Sequence, residues 1–300
     1  MQTCNMVQAG YGEADITPDN PSEMVGFYRP DNRSRGVRDS LRLQALVWEA
    51  DGVMGGLIAI DSLGFTVELS NVLRDRAAAA LHTGRERIMV CFSHTHSAPN
   101  AAEEPDYFEM VCRQADTAVR KAAGNMKSME AAWGIGENTV GMNRRNEPEQ
   151  MDGRLGILKL AARDGKEPEV LLIRVTAHAN VLSGDNYFIS ADYIGAARKR
   201  LEEAYGCPVM MVQGAAGDIR PRYHQDNMEY VEIQCWEMAR KGFSQEYRQK
   251  YEPQRRRALE QMAEDVFRSV DAVYASLVLM HLERVEIRSY FCRFADDVPD

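Results

Sequence analysis

Short apolar runs alternate along this chain with longer stretches in which apolar residues recur every three or four positions. A sheet covered by helices satisfies both patterns at once, because the runs bury as strands and the periodic stretches bury one face. The runs are "LRLQALVWEA" (41–50), "GGLIAID" (55–61), "RIMVCF" (87–92), "RLGILKLAA" (154–162), "EVLLIRVTAH" (169–178) and "PVMMVQG" (208–214). The helical patterns cover 68–83, 106–126, 192–206 and 255–277. The expected class is α/β, with mixed β-sheets flanked by helices and an active-site cleft at the carboxyl ends of strands.

With 300 residues, 45% of them hydrophobic, the chain can bury a sizeable core. No Gly/Ser linker divides it and no internal repeat or low-complexity tract stands out, which favours a single domain over residues 1–300. Residues 223–254, polar with scattered aromatics and no strand period, are expected to form a surface insertion or a helical excursion. The cluster Arg255 to Arg257 falls in a charged helical pattern and is expected on a solvated face.

A net charge of −9 argues against nucleic acid or an anionic lipid surface as a partner, since both would be repelled. No run approaches the roughly 18 apolar residues of a transmembrane segment. The six cysteines are scattered and the first residues lack a basic start with an apolar core, so reduced thiols in a cytoplasmic protein are expected. Cys91 and Cys207 adjoin apolar runs and are expected to pack in the core.

Chemistry gathers just beyond the strands. One run ends in Asp61, one leads to Ser93, His94 and His96, one ends in His178, and one leads through "QGAAG" to Asp218. Loops after several strands converge in such sheets, so these polar ends can meet in one cleft. In extended chain His94 and His96 point to one side, roughly 6.5–7 Å apart at Cα. Two imidazoles so placed can approach one ion, with His178 as the third candidate of a zinc site. The alternative, in which each histidine caps a strand and bonds backbone, stays open on spacing alone. "GMNRRNEP" offers Asn143, Arg144 and Arg145, whose polar groups can clamp a carboxylate or carbonyl oxygen, or can simply face solvent.

Read together, "GYGEADITP", "MVGFYRP", "SHTHSAPN", "MNRR", "HANVLSGDNYFISADYIG" and "QGAAGDIRPR", in that order between Gly10 and Arg222, resemble the N-terminal catalytic region of the neutral/alkaline non-lysosomal ceramidase family, and more narrowly its shorter bacterial members. The resemblance implies a zinc-dependent (Zn2+) enzyme that cleaves an amide, within a ceramidase-like catalytic domain. It implies His94 and His178 as zinc ligands and His96 as the residue that orients or protonates the reacting group. Arg144 or Arg145 takes a substrate-contact role, and "SADYIG" sets Asp192 at the family's aspartate with Ala191 where ceramidases carry serine. The family's C-terminal glutamate and tyrosine ligands have no counterpart before Asp300, which leaves Asp61 and Asp218 as the carboxylates for that task.

The expected activity is metal-assisted hydrolysis of an amide or related acyl bond in a small-molecule or lipid-like acylated substrate. Asp61 or Asp218 would orient the water, His96 would protonate the leaving amine, and Arg145 would stabilise the oxyanion. A metal-dependent esterase of a soluble metabolite and a non-catalytic ligand-binding relative are the alternatives. A homo-oligomer is compatible with each.

Overall fold

The computed structural model describes residues 7–145, 150–163, 165, 167–223, 245–282, 284–285 and 287, the side chains of 245–251 excepted. Strands β1 (Gln8–Asp15), β2 (Arg42–Ala50) and β3 (Val53–Ile60) form an antiparallel meander. Asp51 and Gly52, at φ 52° and 75°, turn β2 into β3, as a two-residue hairpin requires. Helix α1 (Val67–Ala80), capped by the Thr66 side chain, crosses to β4 (Ile88–Phe92), which lies parallel to β3. Helix α2 (Pro105–Gly124) then returns across the meander.

The same order follows a second time. Strand β5 (Lys127–Glu137), then beyond the short β6 (Gly141–Asn143) β7 (Arg154–Ala162) and β8 (Pro168–Val175), form another antiparallel meander. Helix α3 (Asp192–Tyr205) crosses to β9 (Val209–Gln213), parallel to β8, and after β10 (Ile219–Pro221) the long α4 (Gln245–Tyr274) packs over β5 and β7. Strand β11 (Met280–His281) adds to β5, and β6 pairs with β10 in a separate ribbon. The main sheet runs β4-β3-β2-β1-β5-β7-β8-β9, joined at its middle by β1 and β5.

An internal repeat is therefore present, against the expectation that none exists. "Gly-Tyr-Gly-Glu" at 10–13 recurs as "Gly-Ile-Gly-Glu" at 134–137, and "Leu-Ile-Ala-Ile" at 57–60 as "Leu-Ile-Arg-Val" at 172–175. Arg42-Leu43 opens β2 and Asp51-Gly52 follows it; Arg154-Leu155 and Asp164-Gly165 do so for β7, one residue further apart. The β-bulge opposite Leu160 and Ala161 leaves Glu169 of β8 as an extra residue that the first half lacks.

The paired glycines have a packing reason. A Cβ on Gly10 or Gly12 would stand 2.1 or 2.2 Å from the carbonyl oxygens of Ala122 or Ala118 in α2. On Gly136 it would stand 2.7 Å from Ser269 O in α4. Each half thus lets its long helix lie backbone-close on its first strand.

Alternation along the strands sorts the core into layers. Leu43, Ala45 and Val47 face α1 and α2, and Leu171, Ile173 and Val175 face α3 and α4. The opposite faces, with Leu46 and Ala59 from one half and Leu160, Leu172 and Met210 from the other, share a third cluster between the half-sheets. The sheet curls until its edge strands β4 and β9 meet, and Gln213 Nε2 donates to Ser93 O at 2.9 Å. The α/β class with helices flanking a mixed sheet is what the structure has.

Three expectations change. The helix expected over 255–277 begins at Gln245, so residues 245–254 are helical, one of the two forms expected of 223–254, while 224–244 lie outside the described residues. Arg255 is buried against Asp185, away from the solvated face expected for it. Strands β1 and β5 were not expected, because glycine, alanine and glutamate give them little β propensity. No helix among the described residues is long and apolar enough to cross a membrane.

Gly12→Ala is expected to lower the unfolding free energy in urea by about 1–3 kcal/mol, since the added methyl displaces α2. Gly153→Ala, where a Cβ meets nothing within 4 Å, serves as control. Equal unfolding midpoints for the two variants would refute the close approach.

Candidate metal centre

Where β4 and β9 meet, the chain ends beyond β4 and β8 bring three histidines together. Ring nitrogens of His94, His96 and His178 all lie within 4.8 Å of one another. Ring centroids are 4.6 Å apart for His94 and His178, 5.2 Å for His94 and His96, and 5.4 Å for His96 and His178. Thr95, between the first two, points into the protein and donates to Ser190 O at 2.8 Å. That alternation lets His94 and His96 face one point, as the spacing implied.

Backbone carbonyls fix the tautomers of two rings. His94 Nδ1 lies 2.6 Å from Leu63 O and His178 Nδ1 2.6 Å from Ala216 O. A carbonyl only accepts, so both Nδ1 atoms carry the proton and both Nε2 atoms present lone pairs. Those Nε2 atoms face each other at 3.1 Å. Two bare lone pairs repel at that distance, and a cation held by both removes the repulsion. Nitrogens about 2.0–2.1 Å from one zinc at a tetrahedral angle would be about 3.3 Å apart, so the pair fits that ion. His96 has no protein partner on either ring nitrogen, although both are buried. The three imidazoles present thus fit a metal, with carbonyl anchors of the kind that orient metal-binding histidines.

Burial and neighbouring rings disfavour charge on two of the three imidazoles. Burial first, then His94 and His178, push the His96 pKa down to about 3. Burial, with His94 and Arg144 adding, lowers that of His178. Neutral imidazole is the ligand form, and the lowered pKa values of His96 and His178 favour it.

The surroundings hold this geometry. His94 sits at φ 60°, a left-handed conformation that costs a non-glycine residue about 1 kcal/mol or more. The loop after β8 is fastened by Gln213 Nε2 and Tyr193 Oη donating to Ala177 O, at 2.6 and 2.8 Å, and by Asn138 Nδ2 donating to Thr176 O at 2.7 Å. His178 N donates to Ile219 O at 2.8 Å. A cavity of about 390 Å³ opens beside the pair, lined by Leu63, Phe92, His94, His178, Gln213 and Ala216 among others.

The remaining expected residues separate into two groups. Arg144 and Asp218 lie on the β6–β10 ribbon beside the histidines. Arg144 Nη2 is 3.2 Å from His178 Nδ1, and Arg144 N donates to Asp218 O at 2.8 Å. Both Arg144 Nη2 and His178 Nδ1 carry hydrogens, so this is charge proximity and not a hydrogen bond. Arg145 pairs with the half-exposed Asp218 carboxylate at 3.4 Å, and Asn143 Oδ1 accepts from Arg145 N at 2.8 Å.

Asp61 and Asp192 have other work. Asp61 is 2% exposed, with one oxygen 2.6 Å from Arg198 Nη2 and also accepting from Arg42 N. Its carboxylate is committed to a buried ion pair and is not a group free to orient water, which corrects its expected role. Asp192 is 1% exposed, and its oxygens accept from the N–H groups of Val181, Leu182 and Tyr193. Burial pushes its pKa up to about 6. Instead of touching substrate as expected, it positions the loop that follows His178. Neither aspartate joins the histidine group.

The expectations also missed Leu63 and Ala216, whose backbone oxygens carry no side-chain signal, and Arg29, which lay in the quoted "MVGFYRP". Arg29 Nη2 donates to His96 O at 3.0 Å.

Two solved structures share this fold. Neutral ceramidase from Pseudomonas aeruginosa superposes with a TM-score of 0.65 at 19% identity, over 79% of this chain and 44% of that one. A ceramidase complexed with C2 gives 0.65 at 18% identity, over 79% and 43%. This chain therefore spans less than half the length of either. No family model matches the sequence, and no curated protein matches it.

Asp61→Ala is expected to destabilise the fold by about 3–5 kcal/mol, because Arg198 is left buried without its counter-charge. Chemical denaturation measures this. A loss below about 1 kcal/mol would show that the pair does not carry that role.

Proposed function

We propose that this chain is a metal-dependent hydrolase of the ceramidase type that cleaves an amide or related acyl bond. Zinc is the metal, held by His94 and His178 with His96 as third ligand. The facing Nε2 lone pairs of His94 and His178 carry the reading, since neutral imidazoles so anchored need a cation. The ceramidase fold supports the same class of reaction, and three histidines with an open position form a recognised catalytic zinc arrangement.

Bound zinc supplies Lewis acidity, polarising a carbonyl oxygen and making water acidic near neutral pH. The chain's own residues do the rest. Leu63 O and Ala216 O hold the Nδ1 atoms of His94 and His178 and so turn both Nε2 atoms towards one point. Arg144 brings a fixed positive charge to the edge of the cluster, where negative charge builds on a carbonyl oxygen under attack. Asp218, held by Arg145, is the exposed carboxylate assigned to carry a proton from water to the leaving group. Asn143 holds the turn that presents both arginines.

Metal analysis of the purified chain tests the reading. About one zinc per chain is expected, with loss of more than tenfold in affinity in His94→Ala and in His178→Ala. Metal content unchanged by both substitutions refutes the ligand assignment. Hydrolysis assayed on N-acyl amines beside acyl esters separates an amidase from an esterase of a soluble metabolite. Zinc bound without hydrolysis of either, or saturable ligand binding without metal, would replace the enzyme with a binding protein.

A further inference from the structure

Arg29 is a buried cation without a counter-ion. It is 3% exposed, and its partners are backbone carbonyls: Nε donates to Asn186 O at 3.2 Å and Nη2 to His96 O at 3.0 Å. Its Nη1 is buried with no protein partner, and among the described residues no carboxylate pairs with the guanidinium. Such a charge is costly, and burial pushes the Arg29 pKa down to about 10. Phe27 and Tyr187 offer it ring faces at 5.3 and 6.0 Å, which ease the charge without neutralising it.

Its position ties it to the metal centre. Arg29 bonds the carbonyl of His96 itself, and the Phe27 ring between them lies 4.8 Å from the His96 ring. Gly26, at φ 110°, brings this segment against the same imidazole, where a Cβ would come within 2.7 Å of the ring. On the other flank stands Arg144, beside His178. The cluster therefore has a guanidinium on each side and no carboxylate within its ligand group.

We propose that the substrate is an acylated anion, in which a carboxylate beside the scissile acyl bond docks on Arg29 Nη1 and the free hydrogen of Nη2. An N-acyl amino acid has this chemistry. A side-on guanidinium–carboxylate pair supplies the two acceptors that the protein does not, and desolvation strengthens it. The proposal rests on the hydrolase reading above but concerns selectivity, which can fail or hold separately.

The test compares N-octanoylglycine with the neutral N-octanoylethanolamine on the zinc-loaded full chain, by calorimetric binding and by hydrolysis. At least tenfold tighter binding of the anionic compound is expected. Arg29→Gln is expected to bring the ratio near one. Arg29→Lys, which keeps the charge, is expected to retain part of the preference. Equal affinity of the wild type for both compounds overturns the proposal, and that result does not depend on any variant folding. A preference that survives in a folded Arg29→Gln also overturns it. Selective binding without hydrolysis leaves this proposal standing and removes the hydrolase reading; hydrolysis of both compounds at equal efficiency does the reverse.

Discussion

Everything functional in this molecule depends on two edge strands meeting. Strands β4 and β9 belong to separate halves, and each stands at an edge of the main sheet, parallel to its one neighbour. Curling the sheet until they touch places the chain ends beyond four strands at one spot. Gln213, the last residue of β9, seals the junction by donating to Ser93 O on one side and Ala177 O on the other. The two halves then contribute in reversed roles. In the first, the histidine follows the outer strand β4 and the anchoring carbonyl, Leu63, follows β3. In the second, the histidine follows the inner strand β8 and the carbonyl, Ala216, follows β9. A repeated architecture thus yields two imidazoles that approach from opposite sides with matching tautomers.

What could be read in advance follows from what kind of signal each feature leaves. Strands β2, β3, β7, β8 and β9 are rich in branched apolar residues because both their faces are covered, and such runs stand out in a sequence. Strands β1 and β5 are covered too, but a helix backbone lies against them, so glycine replaces the branched residues and the run disappears. The same glycines carry the repeat: the Gly-x-Gly-Glu at 10–13 and 134–137 is short, and the matches after it fall at different spacings in the two halves. Long-range geometry decided the rest. A carboxylate at a strand end looks identical in sequence whether it stays half-exposed, as Asp218 does, or meets an arginine from a helix in the interior, as Asp61 meets Arg198. His94 and His178 were legible because they end obvious strands, whereas the carbonyls that orient them could not be.

Charge is distributed against the overall sign of the chain. The protein carries −9, yet the groups nearest the three histidines are guanidiniums and the acids nearby are already engaged. Asp192 accepts three backbone N–H groups, Asp61 holds Arg198, and Asp218 holds Arg145. A site so arranged favours ligands that arrive with their own negative charge or lone pairs, and the negative remainder of the surface discourages polyanions too large to enter the cavity.

That arrangement has a stability consequence. Three clustered imidazoles, two of them with ring nitrogens 3.1 Å apart, and one buried guanidinium that pairs with no acid among the described residues are each unfavourable in a folded chain. Strained backbone at His94 and Asp192 adds to this. The layers around the site compensate, with the helices of each half set backbone-close on glycine strands and a third apolar cluster between the half-sheets. A cation on the histidines and an anion at Arg29 would each remove one unfavourable term, so binding and folding are linked, and occupancy stabilises the native state by mass action. Groups that are unfavourable by themselves in a folded chain are also those that can select a ligand, and they persist only where the surrounding core is rigid enough to hold them.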